Sequence, residues 1–191
     1  MSGPLLDRAT IERLFRELAD ELRCARARVQ LYVIGGAAMS MSFDRDRTTQ
    51  DVDARIEAGH GKLVQAARKI ARKRGLSDNW LNEQATAWMP READTAARVL
   101  YNSPYLTITG ASPKHLLAMK LDAGRPQDIE DAKVLMKRLG ISDAAEAAGI
   151  HARLYPGERM KAHAIEGLAR ISRELTREAG GPEGTSRDPG R

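Results

Sequence analysis

The sequence predicts an α/β or α+β core with a helical C-terminal extension. Three observations predict it. Apolar residues at helical spacing fill the start of the chain, at Ile11, Leu14, Phe15, Leu18 and Leu22. Two short stretches then read as strands, the apolar run Val29 to Ile34 and the alternating run Asp51 to Ile56. Beyond Thr109 the pattern is helical throughout.

In order, Ala9 to Arg28 is expected to be an amphipathic helix and Val29 to Ile34 a buried strand. Gly35-Gly36 ends that strand, and Ala37 to Phe43 forms a short helix before the charged loop from Asp44 to Gln50. In Asp51 to Ile56, the apolar Val52, Ala54 and Ile56 alternate with Asp51, Asp53 and Arg55, the period of a strand with one polar face. Lys62 to Arg74 is a basic helix with Leu63, Ala66, Ala67 and Ile70 inward. Leu76 to Ala97 shows no clear period, and Trp80, Leu81, Trp88 and Met89 are expected to pack on the core. Val99 to Tyr101 and Tyr105 to Thr109 are two short strands. Ser112 caps the next helix, with Pro113 at its first position and Gly124 after its end. Pro126 to Leu139 is another helix, stopped by Gly140. Helices near Asp143 to His151 and Glu158 to Ala179 follow. The expected organisation is a core over residues 1–110, a helical part packed on it over 111–179, and a disordered Gly/Pro/Ser-rich tail over 180–191.

The chain has 191 residues, of which 42% are hydrophobic, enough for a real core. No apolar run is long enough to span a membrane, and Met1 to Arg8 lacks the pattern of a secretory signal. One cysteine, Cys24, excludes an intrachain disulfide and fits a cytoplasmic setting. The net charge of +5 attracts phosphates only where it is clustered. Arg68, Lys69, Arg72, Lys73 and Arg74 form one such cluster, which serves either a phosphate backbone or an ordinary solvated helix face.

Three segments carry candidate chemistry. Gly35-Gly36 lies between a strand and a helix, where bare backbone lets a phosphate approach the helix N–H groups, or simply makes a tight turn. Asp51 and Asp53 are two apart on a strand, so both carboxylates share a face about 6.5–7 Å apart. Such a pair repels itself, and either a hard cation such as Mg²⁺ resolves the conflict or the two are ordinary acids on a solvated strand face. The third segment runs from Leu116 to Asp131. Lys120 lies in an apolar helix and needs a partner, either a phosphate or an acid such as Asp128, the plain structural alternative being a helix hairpin held by an internal Lys–Asp pair and Arg–Asp capping. Asp128 and Asp131 share one helix face.

The order and spacing of these segments resembles the nucleotidyltransferase superfamily, and within it the AbiEii-like group that includes the MenT-type toxins. The resemblance covers roughly Val29 to Leu139. It implies a mixed-sheet nucleotidyltransferase fold and an enzyme that uses a nucleoside triphosphate with Mg²⁺. It implies that Asp51 and Asp53 hold the metal and that Gly35 and Gly36 face the phosphates. Thr49 matches a Ser or Thr position beside the metal site, and Lys120 and Asp128 match a downstream Lys and acid. Lys120 would clamp phosphate, Asp128 would position it or complete the acidic site, and Arg125 and Asp131 would support them. The resemblance further implies transfer of a nucleoside monophosphate to the 3′ end of tRNA by the toxin of a toxin–antitoxin pair, with a cognate antitoxin as partner. The chain departs from many superfamily members at Ala37, where a phosphate-contacting serine is missing, and no third strand carboxylate is evident, Asp94 being in the stretch without a period.

Two other readings stay open: nucleotidylation of a small molecule or protein, and a non-catalytic binding module on the same fold. Other chemistries find little support. His60, His115, His151 and His163 show no zinc spacing with Cys24, and Lys114-His115 is expected at the surface. There is no Walker loop and no nucleophile-elbow motif.

Overall fold

The computed structural model describes residues 4–43 and 46–179. Helix α1 spans Arg8–Cys24, and Asp7 starts it by accepting from the Thr10 N–H at 2.8 Å. Its expected apolar stripe is buried. It ends earlier than the periodicity suggests because Arg26 takes a left-handed conformation, φ 51°. The chain continues through β1 (Val29–Val33), α2 (Gly35–Ser42), β2 (Val52–Ala58), α3 (His60–Arg74) and β3 (Leu81–Asn82). A 3₁₀ helix, Gln84–Trp88, precedes β4 (Arg98–Asn102) and β5 (Leu106–Gly110). Helices α4 (Pro113–Ala123), α5 (Pro126–Leu139), α6 (Ala144–Leu154) and α7 (Ala162–Ala179) complete the described chain.

The sheet is mixed, in the order β3-β2-β1-β5-β4. Central β1 runs antiparallel to β2 and parallel to β5. Side chains alternate across a strand, so each strand divides its residues between two faces. Leu31, Val33, Val52, Ala54, Leu106 and Ile108 are buried in the core that α1 and α3 help to build. The opposite face is polar. Tyr32 is paired in register with Arg55 on one side and Thr109 on the other, and Asp53 shares that face with Arg55. The alternation in the sequence therefore makes a sheet with one apolar and one polar face, and the polar face carries Asp53.

Helices α4 and α5 follow the expected punctuation, whereas α7 begins at Ala162 rather than near Glu158. Ser112 accepts from the His115 N–H at 3.4 Å, and Gly124, at φ 61°, ends α4. Helix α6 packs on α4, while α7 packs on α5 and α6. The contact between α5 and α7 depends on Gly167, where a Cβ would lie only 2.7 Å from Ile129 Cγ2.

Two expectations are corrected. Trp80 is buried and donates its Nε1–H to Ala67 O at 3.0 Å, and Leu81 and Met89 pack against the core, but Trp88 is 70% exposed. The Trp88 backbone is held from another direction, by the Tyr155 hydroxyl, which donates to Trp88 O at 2.6 Å. His115 is buried rather than at the surface, because Asp94 lies 3.3 Å from its Nδ1. The expected tail over 180–191 lies outside the described residues. Among the described residues, no helix is long and apolar enough to cross a membrane.

Candidate active site

Strand β1 delivers the chain to the glycine turn, and β2 brings the carboxylates back beside it. The Ile34 N–H donates to Asp53 O at 2.9 Å, which fixes the turn against the strand. Gly35 has φ 64°, and a Cβ there would lie 3.3 Å from Asp53 Oδ2. Gly36 is tighter still, since its Cβ would meet Thr49 Oγ1 at 2.6 Å. The turn and the Thr49-to-Asp53 segment, separate in sequence, are thus one surface. Gly35 needs glycine for its left-handed conformation and Gly36 for the close approach of Thr49.

The Asp53 carboxyl is pushed up to about 6 from its ordinary 3.8. Burial is the main cause, and the charge of Asp51 adds to it. The Ala85 N–H and the charges of Arg125 and Lys120 oppose the shift. Asp51, just before β2, accepts from Asn82 Nδ2 at 3.0 Å. Asn82 is paired in register with Asp53, so β3 places it on the carboxylate face. A like-charged, partly desolvated pair with only oxygen donors is a fitting seat for a divalent cation. Among the described residues no group of three or more His, Cys, Asp or Glu could hold a metal ion, so phosphate oxygens would have to complete the coordination.

Lys120 is buried, with Nζ 2.8 Å from Asp128 Oδ1 and 2.7 Å from Asp131 Oδ2. Two acids, Asp128 and Asp131, partner the cation that the apolar helix carries. Asp128 also accepts from Arg125 Nε at 2.7 Å and from the Arg125 N–H at 3.2 Å. Burial raises the Asp128 carboxyl, but the Arg125 hydrogen bond and the Lys120 charge outweigh it and hold the group below its usual range. Arg125 keeps 74% of its side chain in solvent while its charge reaches Asp53. Asp131 is shared with Arg47, whose Nε lies 3.2 Å away.

Asn82 and Arg47 are the residues that sequence reasoning missed. Asn82 lies in the stretch without a period. Arg47, two residues before Thr49, sits in the polar loop and has a remote partner. Asp94 is committed elsewhere: its Oδ2 accepts from the Tyr32 hydroxyl and the Ser112 N–H, each at 2.7 Å. Burial and the Asp94 bond raise the Tyr32 hydroxyl well above its ordinary value. Asp94 therefore fastens the 3₁₀ segment's continuation to β1 and the start of α4.

Neither the basic helix nor the cavity between α5 and α7 displaces this site. In α3, Lys69 pairs with Glu21 at 2.7 Å, and Lys73 and Arg74 both face Glu17, so part of the cluster is neutralised by α1. The cavity of about 960 Å³ is lined by Arg47, Ile129, Asp131, Lys133 and Arg170 among others, but by neither Asp51 nor Asp53.

Residues 9–144 match a family described as nucleotidyltransferase of unknown function (DUF6036). No curated protein and no solved structure matches the chain. The matched stretch contains the glycine turn, both carboxylates, Asn82, Lys120 and Asp128, so the segments gathered by the fold all lie within it. This chain belongs to that nucleotidyltransferase family.

Proposed function

We propose that the protein transfers a nucleoside monophosphate from a nucleoside triphosphate to an acceptor hydroxyl, with Mg²⁺ held by Asp51 and Asp53. The observation that carries this reading is the Asp53 carboxylate, seated against Gly35 beside Asp51 and raised to about 6. Such a pair is costly in isolation and is relieved by a cation that also binds phosphate. Bound there, Mg²⁺ supplies orientation and neutralises charge on the triphosphate. Gly35 and Gly36 leave bare backbone for the phosphates. Arg125, exposed and anchored on Asp128, adds positive charge beside the carboxylates. Lys120 acts through Asp128 and Asp131, which it holds in place. The acceptor oxygen forms a bond to the α-phosphorus, the bond to the β-phosphate oxygen breaks, pyrophosphate leaves and the hydroxyl proton is lost.

The resemblance to AbiEii-like proteins supports the 3′ end of tRNA as the acceptor, and a role as the toxin of a toxin–antitoxin pair. The test is incubation with Mg²⁺, each labelled nucleoside triphosphate and total tRNA, beside an Asp51→Asn/Asp53→Asn control. Label in tRNA that vanishes in the control is expected. Label in protein or in a small molecule would replace the tRNA assignment. No label anywhere and no metal-dependent nucleotide binding would leave a binding module.

A further inference from the structure

Trp88 is the largest exposed apolar side chain among the described residues, and it ends the 3₁₀ helix Gln84–Trp88, which packs on β2, the strand that carries Asp53. The Ala85 N–H is turned toward Asp53, which places the start of the Gln84–Trp88 helix against the site. A 3₁₀ helix rises about 2 Å per residue, so Trp88 follows roughly 6 Å further along. Its backbone is held at both ends. The Gln84 N–H donates to Asn82 Oδ1 at 2.8 Å, and Asn82 in turn donates to Asp51. At the other end, the Tyr155 hydroxyl donates to Trp88 O at 2.6 Å, and the Met89 N–H donates to Thr86 O at 3.2 Å. The indole is therefore 70% exposed on a fixed backbone. The other tryptophan, Trp80, is 1% exposed and hydrogen-bonded.

We infer that Trp88 is a stacking platform for a nucleobase held beside the Asp51–Asp53 site. This rests on the proposed function, because the phosphates of the same ligand would sit at Gly35, Asp51 and Asp53. Three features favour a base over a protein partner. The segment is hydrogen-bonded, through Asn82, to one of the carboxylates. A protein contact calls for an apolar patch of several hundred Å², whereas one ring matches one planar ligand. Arg125, whose charge reaches Asp53, supplies charge for the phosphates of the same ligand. The base could be that of the triphosphate or the terminal base of an acceptor strand, since every base offers the same π-face.

The two tryptophans make the test direct. From its exposure Trp88 should give the red-shifted, acrylamide-accessible emission, and buried Trp80 an inaccessible internal reference. Wild-type protein is titrated with each nucleoside triphosphate plus Mg²⁺, with tripolyphosphate plus Mg²⁺ as the baseless probe, and with a short single-stranded oligonucleotide. The expected result is quenching and acrylamide protection of the red component by a base-containing ligand, and not by tripolyphosphate. Trp88→Ala should weaken binding of that ligand by roughly 5- to 100-fold, leave tripolyphosphate binding unchanged, and be rescued by Trp88→Phe. Quenching by triphosphate assigns the base to the donor nucleotide, and quenching by oligonucleotide alone assigns it to the acceptor. If tripolyphosphate binds but no base-containing ligand touches Trp88, the stacking role is overturned while the proposed function stands. If no probe binds, tripolyphosphate included, both fall.

Discussion

The Arg47 guanidinium reaches across 84 residues of sequence to the Asp131 carboxylate, with Nε 3.2 Å from Oδ1. It ties the loop leading into Asp51 to helix α5, and Asp131 is gripped from its other side by Lys120. Arg47 also donates to Thr48 O at 2.8 Å, so the loop is drawn toward α5 at its own backbone. Arg47→Met should cost about 1–3 kcal/mol of stability, as expected for a charged hydrogen bond of low exposure. A double-mutant cycle with Asp131→Asn in urea should give a coupling of at least about 0.5 kcal/mol. Strictly additive losses would mean that the two residues touch without mutual stabilisation.

Lys120 is the centre of the buried charge cluster. Lys120→Met would leave Asp128 and Asp131 desolvated with fewer cations to balance them. Removing one partner of a buried pair costs about 3–5 kcal/mol, so the variant should unfold at distinctly lower denaturant. A companion Lys120→Met/Asp128→Asn variant should recover part of the loss. Equal stability of wild type and Lys120→Met would contradict the buried geometry.

Gly36→Ala tests the contact between the glycine turn and Thr49. The added Cβ would meet Thr49 Oγ1 at 2.6 Å and Thr49 Cβ at 3.0 Å. Overpacking of this kind costs about 1–3 kcal/mol. Pairing it with Thr49→Gly, which removes both contacting atoms, should abolish the clash. A thermal midpoint that drops for Gly36→Ala but is no lower in the pair than in Thr49→Gly alone would establish the contact.

Asp53 should be held at the expense of stability. A carboxyl whose folded value is about 6 and whose ordinary value is 3.8 stays protonated longer in the folded protein. The folded state then binds more protons than the unfolded one across that window, so stability falls as pH rises through it. Below the window the group is neutral in both states and the penalty vanishes. Asp53→Asn should therefore stabilise the protein by about 1–2 kcal/mol at neutral pH after screening is allowed for, with little gain below pH ~4. Denaturation midpoints at acid and neutral pH measure this. A destabilised variant at neutral pH would show that the carboxylate makes contacts worth more than its desolvation.

The legible parts of the fold are those with local punctuation. Helix α5 begins at Pro126 and ends at Leu139, as its proline and Gly140 indicate, because both signals act within the segment itself. The polar edge of β2 is likewise written in its alternation. Asn82 was hidden because a strand of two residues has no period, and its placement depends on pairing with Asp53 from another segment. Trp88 misled for the opposite reason: a large apolar ring is expected inside, but the Tyr155 hydrogen bond fixes the backbone with the ring outside. The partner of Lys120 was among the options its burial demanded. The sharing of Asp131 between Lys120 and Arg47 needs two helices and a distant loop to meet, and no local pattern records that.

The bare surface of Gly167 against Ile129 bears on where this molecule can be cut. The family match stops at residue 144, yet Ile129 lies inside it and Gly167 outside it. Helix α7 also buries Leu168 and Ile171, and α6 buries Ile150 and Leu154. A chain ended at the limit of the match would strip the cover from α5, the helix that carries Asp128 and Asp131. The matched stretch thus excludes helices that pack on its own α4 and α5, and a shortened version designed from the match alone would be expected to lose its charge cluster with its missing helices.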